Sequence, residues 1–216
     1  MKVISFSLWG KNPQYCQGAV KNSILAKSIY PEWQCWFYCS DDVPQDIKNQ
    51  LTSNGSKIIE MGENQGFKGL FWRFLAFCTE GVEIAISRDC DSRLGQREAE
   101  AVMEWENSDL MVHAMYDHPH HYGYIGRTIL GGMWGAKSGF IKDFYKNILD
   151  FEQSDKYGTD YEFLAKILPN ILDAGMLIHS SKDGSPYDFP TMKKNEHDFV
   201  GAIFDENDNF KISNVL

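Results

Sequence analysis

Two carboxylates one residue apart, Asp89 and Asp91, stand in the stretch Arg88-Asp89-Cys90-Asp91-Ser92-Arg93. Like charges this close repel, and one pKa rises unless a positive group lies between them. A hard divalent cation, bound by oxygen ligands and shared with a substrate phosphate, is the simplest such group. The competing reading is an acidic loop that caps a helix starting near Gln96. Arg73 is the one cation in the apolar run Phe71-Trp72-Arg73-Phe74-Leu75-Ala76-Phe77. A buried guanidinium without a partner is very costly; a ligand phosphate would serve, and so would Asp89 or Asp91. A third polar concentration is Asp117-His118-Pro119-His120-His121. The proline holds the backbone before it extended, and no Cys or remote His has supporting spacing. His118 and His120 therefore read as the wall of a pocket whose ligand carries hydroxyls, in preference to a metal site.

Hydrophobic patterning gives the elements that must position these residues. Val3–Leu8 reads as a buried strand, and a helix from Tyr15 to about Tyr30 is stopped by Pro31. Cys35–Cys39 is a second strand. A helix opened by Pro44 carries Ile47 and Leu51 and closes at Asn54-Gly55, and Lys57–Met61 is a third strand. Strand, helix, strand, helix, strand implies a parallel sheet with right-handed crossovers. A helix from about Leu70 to Cys78 then leads into the strand Val82–Ser87, which delivers Asp89 and Asp91 to its carboxyl end. Open α/β sheets bind their ligands at that end. Further on, residues 96–107 read as helix, 110–115 as strand, and 129–136 as a strand whose Gly131 and Gly132 predict a close approach to its backbone. Helices near 138–151 and 158–168 and a strand 176–179 follow, before a polar C-terminal stretch.

The 216 residues are 43% apolar and 14% aromatic, enough for one domain with a substantial core. A formal charge of −9 argues against a nucleic-acid partner but leaves room for a phosphorylated small molecule. The five cysteines are odd in number and lack paired spacing, so reduced thiols in a cytoplasmic protein are expected. No apolar run approaches the roughly 20 residues of a membrane span, and the N-terminal strand lacks signal-peptide architecture. The expectation is one α/β domain over residues 1–216, which can also be the front of a longer protein.

With the order of elements and Asp89-Cys90-Asp91 in place, the chain resembles the GT-A glycosyltransferases, whose Asp-X-Asp motif binds Mn²⁺ or Mg²⁺ and the donor diphosphate. Arg88–Leu94, Asp117–His120 and Leu130-Gly131-Gly132-Met133-Trp134-Gly135 look similar to a small family of bacterial and large-DNA-virus proteins assigned as glycosyltransferases. In particular the chain looks similar to the N-terminal glycosyltransferase domain of chlorella viruses, linked to capsid-protein glycans, and the likeness covers most of residues 1–180.

The resemblance implies a nucleotide-sugar donor, most simply a UDP-sugar with glucose or rhamnose, and a glycan or glycoprotein acceptor. It divides the chain into a donor-binding half, about 1–95, and an acceptor-side half, about 96–216. On the donor side it implies a pocket from Leu8, Trp9 and Tyr15, phosphate contacts from Lys68, Arg73 and Cys90, and metal ligation by Asp89 and Asp91. His179, at a strand end, is implied as third metal ligand, and nitrogen ligation would favour Mn²⁺ over Mg²⁺. Asp160, then Asp117, are the implied bases for the acceptor hydroxyl, although Asp160 also suits a helix N-cap. Gly132, Met133 and Trp134 join His118 and His120 in the implied sugar pocket. Two other classes remain open. A metal-dependent nucleotidyltransferase shares the sheet and acidic pair but needs a Gly-rich, basic loop that Leu8–Pro13 does not supply. A non-catalytic nucleotide-sugar-binding module would bind without transfer.

Overall fold

The computed structural model describes residues 1–211. Strands β1 (Lys2–Leu8), β2 (Trp33–Cys39), β3 (Lys57–Glu60), β4 (Ile84–Arg88), β5 (Val112–Tyr116), β6 (Met133–Lys137) and β7 (Met176–Ser180) form one sheet in the order β3-β2-β1-β4-β6-β5-β7. β6 runs antiparallel to both neighbours, and the other pairings are parallel. The order reverses at β1, so the crevice at the carboxyl ends of β1 and β4 is a topological switch point, where ligands of such sheets bind.

Side-chain alternation sorts the strands onto two cores. Ile4, Phe6 and Leu8 of β1 and Ile86 of β4 face helices α1 (Pro13–Ile29), α2 (Gln45–Ser53) and α3 (Gln96–Glu106). Val3 and Ala85 face the opposite layer, built from residues 66–78 and helices α4 (Phe144–Asp150) and α5 (Thr159–Ala174). That second layer is strongly aromatic: Phe77 stacks on Trp134 at 4.2 Å, and Phe71 and Phe74 pack on Phe163. A small hairpin, β8 (Ile203–Phe204) and β9 (Phe210–Lys211), closes the C-terminal side.

Most of the expected elements are present; the largest difference lies before β4. Gly66–Cys78 is a succession of 3₁₀ turns instead of an α-helix over 70–78. Two serines on the inward face of β1 account for it. Ser5 Oγ donates to the Arg73 carbonyl at 2.7 Å, and Ser7 Oγ accepts from the Arg73 N–H at 3.0 Å. These bonds satisfy backbone groups that an α-helical turn would have paired internally. They also pin Arg73 against β1. Residues 129–130 are irregular and 131–132 are turn, with the strand starting at Met133, and α5 runs on to Ala174 through Pro169. No helix among the described residues is long and apolar enough to cross a membrane.

Candidate active site

Arg73 organises the site. It is 3% exposed, donates from Nη2 to Asp160 Oδ2 at 2.8 Å, and pairs through Nη1 with Asp89. Its Nε has no partner among the described residues. Asp89 leaves the end of β4, and Asp160 sits in the first turn of α5, so one guanidinium joins the two layers of the site. Gly131 and Gly132 lie against this cluster. A Cβ at 131 would collide with the Asp160 carboxylate and with Arg73 Nη2, and one at 132 would collide with the Asp89 carboxylate. The close approach expected at these glycines is therefore made by the acidic cluster itself.

Asp91 has a different environment. It is 8% exposed, and its one side-chain donor among the described residues is Gln14 Nε2, at 3.2 Å from Oδ2. Burial, followed by the charge of Asp89, pushes its pKa from an ordinary 3.8 up to about 7. Asp160 is likewise raised by burial, against the opposing pull of Arg73. Two carboxylates thus share a single guanidinium while Asp91 lies beside them without one, and the cluster is short of positive charge.

Helix α1 fixes the loop that carries the acidic pair. Asn22 Nδ2 donates to the Ser92 carbonyl at 2.9 Å, and Asn22 Oδ1 accepts from the Leu94 N–H at 3.0 Å. Gly18 lets the helix pass the Cys90 carbonyl where any Cβ would clash. The helix-cap reading of the aspartates does not hold: Gly95 precedes α3, and no side chain caps it.

These residues open into a cavity of about 890 Å³. Of the residues expected at the site, Leu8, Trp9, Tyr15, Arg73, Asp89, Cys90, Asp91, His118, His120, Gly132, Met133 and Asp160 line it. Four do not. His179 is fully buried on the α3 side of the sheet, with Nδ1 2.8 Å from His113 Nε2 and Nε2 3.3 Å from Glu104. Alternation along β7 turns Leu177 and His179 to that face, so His179 cannot meet the acidic pair. Asp117 is fully buried and held by Arg97, at 2.7 and 2.8 Å, and by the Val200 N–H at 2.9 Å. Burial alone would raise its pKa, but these donors hold it below the usual carboxylate range. A locked, fully ionised carboxylate outside the cavity is a structural group, not an acceptor base. Trp134 belongs to the aromatic core beside Phe77, and Lys68 is exposed outside the lining.

The cavity also takes residues that sequence patterning did not single out. Tyr157, Tyr161, Tyr124 and Phe67 form one wall. Glu196, His197, Phe199 and Lys211 come from the polar C-terminal stretch, where no periodicity marked them. The hairpin is tied to the acidic loop: the Phe204 N–H donates to the Asp91 carbonyl at 2.9 Å, and Lys211 Nζ donates to Gln14 Oε1 at 2.6 Å.

The donor set suits a hard divalent ion. Two carboxylates at a strand end, one of them raised by burial and without a cation of its own, offer oxygen ligands and an unmet need for positive charge. Among the described residues no three His, Cys, Asp or Glu side chains converge to hold an ion by themselves. That pattern matches ions bound by one or two carboxylates and completed by substrate phosphates.

No family model matches the chain, and no curated protein sequence matches it. Solved structures do. The glucosyl-3-phosphoglycerate synthase of Mycobacterium tuberculosis in complex with Mn²⁺, UDP and phosphoglyceric acid superposes with a TM-score of 0.54 at 14% identity, over 82% of this chain and 68% of that one. Its complex with Mn²⁺, UDP and glucosyl-3-phosphoglycerate gives 0.53 at 15% identity, over 82% and 69%. A further structure of that enzyme gives 0.51 at 14% identity, over 89% and 73%. At this identity the likeness speaks for architecture: the chain has the GT-A α/β fold, a mainly parallel central sheet flanked by helices.

Proposed function

We propose that the chain is a metal-dependent glycosyltransferase that moves a sugar from a UDP-sugar donor to an acceptor hydroxyl. The observation that carries this reading is the acidic cluster at the switch point. Asp89 and Asp160 share one guanidinium, and Asp91 lies beside them without a cation, at the edge of a cavity large enough for a nucleotide sugar. Several solved structures of like fold are complexed with Mn²⁺ or Mg²⁺ and with UDP or UDP-glucose, which supports the same ligands here.

In this reading Asp91 and Asp89 hold Mn²⁺ or Mg²⁺. When bound, the ion offsets the charge that builds on the departing diphosphate. Arg73 keeps Asp89 and Asp160 in fixed orientation, and the glycines at 131 and 132 leave room for both carboxylates. Trp9, Tyr15 and the loop between them provide the nucleotide pocket in the donor half. Asp160 is the base candidate that faces the cavity; its raised pKa makes it a better proton acceptor than an ordinary aspartate. Glucose or rhamnose as the sugar, and a glycan or glycoprotein as the acceptor, follow from the resemblance to the viral and bacterial family.

The test is a thermal-shift series with UDP, GDP and CMP, with and without Mn²⁺, on wild type and Asp91→Ala. The expected result is an Mn²⁺-dependent shift with UDP that the variant loses. Absence of a shift with every nucleotide would sink the proposal. Release of UDP from donor sugars then separates transfer from binding alone.

A further inference from the structure

The part of the cavity beyond the acidic cluster has an aromatic and uncharged character that bears on the acceptor. Tyr157 and Phe67 meet edge to face at 5.9 Å, and Tyr161 follows at 6.2 Å from Tyr157 and 6.0 Å from Tyr124. Tyr157 is 63% exposed and Phe67 is 38% exposed, so two large rings present open faces at the mouth of a cavity. The Phe67 N–H donates to Asp155 Oδ1 at 2.7 Å, which joins the two loops carrying these rings.

The positive charges of the cavity are elsewhere. Arg73, Lys11 and Lys211 are its lysines and arginines among the described residues. Arg73 is committed to Asp89 and Asp160, and Lys211 bonds Gln14 on α1. Lys11 stands in the β1–α1 loop, beside the pocket assigned to the nucleotide. The wall of Phe67, Tyr124, Tyr157 and Tyr161 brings no lysine or arginine of its own into the cavity lining; the exposed Lys68 and Lys156, which adjoin Phe67 and Tyr157 in sequence, lie outside that lining. Burial, then Asp89 and neighbouring groups, raises the Tyr161 pKa, and Asp89, Asp160 and Asp91 act in the same direction on Tyr157. Two of the imidazoles lining the cavity do not reverse this. Burial holds His118 below its ordinary pKa and takes His121 down to about 4, so both are neutral bonding partners at pH 7.

From this wall we infer that the acceptor is an uncharged saccharide whose ring lies against Tyr157 and Phe67, and not a phosphorylated acid of the kind bound by the enzyme of like fold. The inference rests on the glycosyltransferase reading and narrows its acceptor. A pyranose offers an apolar C–H face to the exposed rings and hydroxyls to His118, His120 and Asp160. A phosphate or carboxylate in the same place would lose its hydration with no uncommitted lining lysine or arginine beside the wall to replace it.

The experiment uses the full chain with Mn²⁺ and UDP. Binding of neutral methyl hexosides and methyl deoxyhexosides is measured by ligand-observed NMR, alongside 3-phosphoglycerate and glucose 6-phosphate. At least one neutral glycoside is expected to bind more tightly than both anions. Tyr157→Ala should weaken that glycoside about tenfold, from the apolar area it loses, and leave UDP affinity within about twofold. Phe67→Ala should act in the same direction, and both sites are exposed enough to change without loss of folding. Tighter binding of either anion, or glycoside affinity untouched in both variants, overturns the inference while UDP binding stands. Failure of UDP itself to bind overturns the glycosyltransferase reading, and this inference with it.

Discussion

Replacement of Asp91 by Asn should make the metal-free protein more stable at alkaline pH. In the fold Asp91 has its pKa raised from 3.8 to about 7, chiefly by burial and secondarily by Asp89. A raised carboxylate favours folding while protonated. Its contribution is full below the unfolded value and is lost as pH rises through the folded one. A rise of about three units at about 1.36 kcal/mol each is worth roughly 4 kcal/mol at most. Asn keeps the shape and still accepts from Gln14 but cannot ionise. The stability difference between Asp91→Asn and wild type should therefore grow in favour of the variant by up to roughly 4 kcal/mol between pH 4 and pH 8. Urea unfolding in EDTA at several pH values measures it. Adding Mn²⁺ should narrow that difference at pH 8, because an ion at a hundred times its Kd stabilises wild type by about 2.7 kcal/mol and the variant by little. A difference that stays flat with pH would refute the electrostatic argument. Equal Mn²⁺ stabilisation of both proteins would refute the assignment of Asp91 as a ligand.

Gly132→Ala places a methyl group on the Asp89 carboxylate; Mn²⁺-dependent UDP affinity should fall at least about tenfold with the circular dichroism spectrum unchanged. Trp134→Ala should cost about 3–5 kcal/mol in urea unfolding, because a fully buried ring stacked on Phe77 is removed from the aromatic core. Arg97→Met should cost about 3 kcal/mol, the low end for a broken buried pair, because Asp117 keeps Lys193 at 3.3 Å and the Val200 N–H. The pair's contribution is present above the ordinary carboxylate pKa and lost as pH falls through the lowered one, so the deficit measured by unfolding should shrink in acid.

The acidic pair, Arg73 and the two glycines were legible because each is a local contradiction. Adjacent like charges, a guanidinium in an apolar run and glycines in a strand all demand a partner, whatever the fold. Their partners turned out to be one another. What the sequence concealed was direction. His179 ends a strand as a ligand would, but the period-two alternation of β7 sends it to α3, and a shift of one residue would have sent it to the opposite face. His197 is the converse case. It lines the cavity, stacked on Phe210 at 4.1 Å, yet it lies in an aperiodic segment whose course is set by tertiary contacts such as Arg93 with Asp208. Asp117 was misplaced for a third reason: its partner, Arg97, lies twenty residues earlier on α3, outside any local pattern. The 3₁₀ segment escaped similarly, since its hydrophobic content suits an α-helix and the serines that unwind it lie on β1.

The charge imbalance of the site follows from how it is held. Asp89 and Asp160 can be close only because Arg73 lies between them, and Arg73 can be buried only because both are there. Asp91 stands outside that exchange. Its backbone is fixed by the Phe204 N–H and its side chain by Gln14, and neither group carries a positive charge. The fold therefore orients this carboxylate without neutralising it, and its free energy falls when a cation arrives. The same two contacts connect it to α1 and to the C-terminal hairpin, which Lys21 and Arg93 anchor through Asp208. A change in charge at Asp91 thus acts on groups that border both the nucleotide pocket and the C-terminal wall of the cavity, and it gives ion binding a direct physical route to the arrangement of both.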